Sequence, residues 1–173
     1  MILKFVAFPI KETLIDISIY FTYWSLLFTL VYFCLAITMR PPSKALSILL
    51  PVSIIMETLV TIIYWLLLYK TARIRSSLHQ YIAIVYHSCP LGLLVLDLAI
   101  GDIKQHRRAI WYFVFVLFFY GTLAAVLALG FNVVVYSAFD FKSWRTAVNV
   151  ALKLAIAGCT WAFLLLVDKI KWK

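Results

Sequence analysis

Charged residues are scarce in this chain. Only 13% of its 173 residues are Asp, Glu, Lys or Arg, where a soluble domain carries about a quarter. Glycine is scarce too, with five in all. None forms a phosphate-cradling glycine loop or a Gly-xxx-Gly pair, so nucleotide-binding folds have no foothold. Three cysteines, Cys34, Cys89 and Cys159, lie in separate apolar runs. That spacing fits neither a disulfide framework nor a zinc site, and they are expected to act as small hydrophobes in the core. No metal and no cofactor is expected. The N-terminal "MILKFVAFPIK" lacks the continuous apolar core and small-residue cleavage site of a secretory signal. Low-complexity tracts and internal repeats are absent.

The chain is instead 65% hydrophobic and 17% aromatic, with a mean hydropathy of +1.02. A globule this small has too much surface for its volume to hide that apolar load from water. Lipid must be the solvent. The net charge of +9 is spread in short clusters between the apolar runs, as expected for anchors at anionic headgroups. Nucleic acid would require one concentrated basic face, so no nucleic-acid partner is expected.

A membrane-spanning helix takes about 20 mainly apolar residues, and five runs reach that length. They are Ile17–Met39, Ala45–Tyr69, Ser76–Leu96, Ala109–Phe139 and Thr146–Val167. The fourth would be about 46 Å long as a single helix, too long for one crossing, so a break is expected at Gly130 and Asn132. "FNVVVYSAF" then folds back as a cap. The expected fold is all-α, a polytopic membrane helical bundle over residues 17–173, preceded by an interfacial segment over residues 1–16. Five helices are expected, or six if that first segment also spans. With five, the N-terminus, "YKTARIR" and "DFKSWR" lie on one face (side A), and "RPPSK", "GDIKQHRR" and "DKIKWK" on the other (side B). Lys and Arg number seven on side A and eight on side B, so the positive-inside rule does not orient the chain.

Each polar group inside a span is a functional hypothesis, because an ionised side chain at mid-membrane costs roughly 2.5–3.5 kcal/mol on insertion scales. The set is Thr22, Glu57, His87, Asp97, Asn149 and Lys153. The first, third and fifth spans start on side A and bring Thr22, His87, Asn149 and Lys153 to a similar depth. Asn149 and Lys153, four apart, share a helix face and could hold a substrate carboxylate. Asp97 is ten residues, or about 15 Å, beyond His87, too far to bond its ring, and is expected to close the third span. A neutral imidazole can take the proton of a threonine hydroxyl and make it a nucleophile. Thr22 and His87 are therefore the candidate catalytic pair. Glu57, deeper in the second span, is expected to pair with Lys153 or to be protonated.

Several stretches resemble the androgen-induced family of multipass membrane threonine hydrolases. The family's "FLT" and aromatic run are similar to Tyr20-Phe21-Thr22 running on to Tyr32-Phe33. Its histidine followed ten residues later by an acid is matched by His87 and Asp97. Tyr64-Trp65-Leu66-Leu67-Leu68-Tyr69 and Val135-Tyr136-Ser137-Ala138-Phe139 echo two further segments. The resemblance implies hydrolysis of fatty acid esters of hydroxy fatty acids, with Thr22 as nucleophile and His87 as base. It departs where Ser137 replaces a proline, where Pro90 comes early after the histidine, and where the loops are short. Two other classes stand beside it: a non-enzymatic membrane-complex subunit or assembly factor, and a small transporter using Glu57 and Lys153. The partners implied are the bilayer and a fatty-acyl ester; no protein partner can be named. The tail "KIKWK" is similar to a dilysine retrieval signal of the endoplasmic reticulum, with the plasma membrane as the alternative location.

Overall fold

The computed structural model describes residues 20–39, 43–69, 77–131, 133 and 144–173. Five helices occupy them: α1 (Phe21–Thr38), α2 (Lys44–Ile63, extended by a π-helical turn, Tyr64–Leu68), α3 (Ser77–Ile100), α4 (Ala109–Gly130) and α5 (Trp144–Lys171). Each is long and apolar enough to cross a membrane. The interfacial segment 1–16 and the cap after Phe131, apart from Val133, lie outside the described residues. The fourth run does end its helix at Gly130.

The third run goes further than its sequence suggests. Asp97 does not close it, and α3 continues to Ile100. The carboxylate is instead met by the Tyr32 hydroxyl of α1, so it needs no helix end to reach water. Gly101 then stops the helix. Its N–H donates to the Asp97 carbonyl at 2.7 Å, and a Cβ on residue 101 would sit 2.7 Å from that same oxygen.

Helix α2 is the axis of the bundle. Its residues Leu50 to Glu57, with Leu59 and Val60, are buried, and α1, α3, α4 and α5 all pack on it. Lipid is as apolar as leucine, so helices here associate by close fit and by polar contacts rather than by a hydrophobic drive. The inward faces reflect this. α1 presents Ser25, Thr29 and Tyr32, and α4 presents Ala124 and Ala128 beyond Tyr120. On the opposite face of α4, Trp111, Phe115 and Phe118 are 69%, 68% and 73% exposed, a lipid-facing stripe at helical spacing. The three cysteines are exposed as well, against the expectation of a core role. Cys34 and Cys159 each follow an inward residue (Tyr32, Ala157) by two positions, about 200° round the helix.

Side B is closed by a polar collar. Pro51 has no N–H, which frees the Ser47 carbonyl, and that oxygen accepts the His106 N–H at 3.0 Å. The Gln105 N–H donates to Asp168 Oδ1 at 3.0 Å. Lys171 Nζ donates to the carbonyls of Leu98 (3.0 Å), Ala99 (3.4 Å) and Gly101, capping α3 with a cation where the helix dipole is negative. The segment between α3 and α4 therefore ties the foot of α2 to the end of α5.

Candidate functional site

The collar fixes the depth of every candidate. Ser47 and Asp168 stand at one level, each bonded to adjacent residues 106 and 105. At 1.5 Å per residue, Thr61 lies about 21 Å above that level, Lys153 about 22 Å, Tyr64 about 26 Å and Asn149 about 28 Å. Thr29 Oγ1 donates to Glu57 Oε1 at 3.0 Å, about 15 Å above the collar, which puts Thr22 about 10 Å higher still. His87 belongs to the same layer, since its carbonyl accepts the Thr61 hydroxyl. A second route agrees. α1 and α3 run the same way and are clasped by Tyr32 and Asp97, and Thr22 and His87 are each ten residues before their clasp residue.

Within this layer the closest partner of His87 is Tyr64. The two rings stack with centroids 4.1 Å apart and planes 16° from parallel. Beside them Trp65 Nε1 donates to Ser88 Oγ at 3.1 Å. Tyr64 is buried, and among the described residues neither its hydroxyl nor His87 Nδ1 has a hydrogen-bond partner. The π-helical turn, where Tyr69 N–H bonds back to the Tyr64 carbonyl, starts at this ring. Such turns are wider than α turns and frequently mark functional sites; here two successive residues, Tyr64 and Trp65, both contact α3.

The structure thus brings His87, Thr61 and Tyr64 together and sets Thr22 at their depth. Among the described residues no hydrogen bond joins Thr22 to His87. Asn149 and Lys153 are half-buried, one turn apart on α5. An apolar groove of about 280 Å³, lined by Phe33, Leu93, Leu96, Asp97 and Ile100, opens toward side B.

A second polar centre lies lower, around Glu57. The expected Glu57–Lys153 pair is not formed, because the two stand about five residues apart in depth. Glu57 takes the Thr29 hydroxyl instead, with the Ser25 hydroxyl beside the same carboxylate but completing no hydrogen bond. Among the described residues no three His, Cys, Asp or Glu side chains converge as metal ligands.

Two of these groups were missed from sequence. Tyr64 stands in the sequence only as part of the Tyr64–Tyr69 resemblance, because nothing in its spacing points to His87 on another helix. Ser25/Thr29 and Ser53/Glu57 carried a usable signal: each pair is spaced four apart, so each faces one way.

Among the described residues, these features define an all-helical bundle with five helices long and apolar enough to cross a membrane. Compared with protein-family models, curated proteins and solved structures, the chain matches none.

Proposed function

We propose that this protein is an intramembrane hydrolase of lipid esters, of the type that cleaves fatty acid esters of hydroxy fatty acids. Thr22 is the nucleophile and His87 the base. The observation that carries the reading is the common depth of these two residues on parallel helices clasped by Tyr32 and Asp97, together with a half-buried imidazole whose Nδ1 is unengaged among the described residues.

On this reading Thr22 Oγ1 attacks the ester carbonyl carbon while its proton passes to His87. The imidazolium returns that proton to the departing alkoxide, releasing the hydroxy fatty acid and leaving an acyl-threonine. Water, deprotonated by the same ring, then attacks the acyl carbon and regenerates the threonine hydroxyl. The free Tyr64 phenol is the available donor to the oxyanion. Asn149 and Lys153 receive the carboxylate of the hydroxy acid, and the groove beside Phe33 and Leu93 takes an acyl chain. The molecule acts in the membrane of the endoplasmic reticulum, with the bilayer and the ester as its partners.

The test is labelling of the purified protein by a fluorophosphonate probe, with mass spectrometry to locate the adduct. Modification of Thr22 in the native chain is expected, absent in Thr22→Ala and strongly reduced in His87→Ala. Tyr64→Phe should keep the adduct but slow ester turnover by about 10–100-fold, at or somewhat below the loss seen for other oxyanion donors. Equal labelling of all variants, or native protein that hydrolyses the ester yet never labels at Thr22, removes the proposal.

A further inference from the structure

The centre around Glu57 has no part in the proposed reaction, being about 10 Å deeper than Thr22. Glu57, Ser25 and Ser53 are all fully buried, at 0% exposure, and Thr29 is 6% exposed. Among the described residues, only Thr29 Oγ1 and Glu57 Oε1 of these oxygens are bonded, to each other, and Glu57 Oε2, Ser25 Oγ and Ser53 Oγ complete no hydrogen bond. Ser25 lies beside the carboxylate, and Ser53 is one turn before Glu57 on the same side of α2. Among the described residues Glu57 makes no ion pair. A carboxylate at mid-membrane without a counter-charge is costly, and buried polar atoms are normally satisfied.

We propose that Glu57, with the hydroxyls of Ser25, Thr29 and Ser53, forms an occluded binding site for a small monovalent cation of the sodium type. The ligand set is oxygen only: one carboxylate supplies the charge and the hydroxyl lone pairs complete the shell, which suits a hard cation and offers nothing to a soft one. A proton alone would join Glu57 Oε2 to one serine hydroxyl and leave the other unmet, since a neutral carboxyl donates once. A cation engages them together. It would also pin α1 to α2 at the axis of the bundle, where both helices contribute ligands.

The site is tested on the full chain in detergent, comparing sodium with N-methylglucamine at equal ionic strength. At a sodium concentration about ten times the dissociation constant the melting temperature is expected to rise by about 3–6 °C. Glu57→Gln and the milder Ser25→Ala should abolish or blunt that rise. Sodium should also protect Glu57 from a hydrophobic carbodiimide, read as the mass of the modified peptide. A sodium-independent melting temperature in the native chain overturns the site. So does carbodiimide labelling that sodium, lithium and potassium all leave unchanged, which assigns the carboxyl to a proton alone. Because neither readout involves ester turnover, the site stands or falls separately from the hydrolase.

Discussion

The hydroxyl of Thr29 is the only complete hydrogen bond to the Glu57 carboxylate among the described residues, so its removal isolates a buried acid. Stripping a partner from a buried polar group costs about 1–3 kcal/mol, and interhelical bonds in membranes reach about 1.7 kcal/mol at most. Thr29→Val should therefore lower the midpoint of unfolding in detergent by roughly 2–6 °C, whereas Thr29→Ser should recover most of the loss. Equal losses would mean that the side-chain methyl counts for as much as the hydroxyl at this position. Much at this scale could be read from the chain. The polar residues within apolar runs stand out from the chain because lipid makes each of them expensive. Their partners were not legible: Asp97 finds Tyr32, Glu57 finds Thr29 and His87 stacks on Tyr64. Spacing along one helix says which way a residue faces but not which neighbouring helix it meets.

Among the helices, composition alone located all five, since runs of about 20 apolar residues have few other uses. Ends and irregularities were harder to foresee. The α3 helix passes its acid because a tyrosine from another segment neutralises the cost, and α2 changes to a π turn where it meets α3; both depend on tertiary contacts. Gly101 shows how tightly one such end is built. A methyl group there would press within 2.7 Å of the Asp97 carbonyl, while one on Gly92 would meet nothing within 4 Å. Gly101→Ala should cost about 1–3 kcal/mol from overpacking. Gly92→Ala should be neutral or stabilising by up to about 1 kcal/mol, since glycine is a poor helix former. Thermal unfolding of the two variants side by side checks the contrast. A drop for both would mean that residue 92 is covered by something outside the chain.

For the molecule as a whole, five crossings place the start of α1 and the end of α5 on opposite sides of the membrane. Cysteines introduced at Lys173 and in the 70–76 segment should react with an impermeant maleimide from opposite faces of sealed vesicles, in a background where the three native thiols are serine. Labelling from one face would require an even number of crossings between the two positions. The collar on side B has a further consequence. The ammonium of Lys171 is held by three backbone carbonyls of α3, so the last turn of α5 cannot unwind without stripping the end of α3 of its cation. The two helix ends form one joint, and loosening either loosens both.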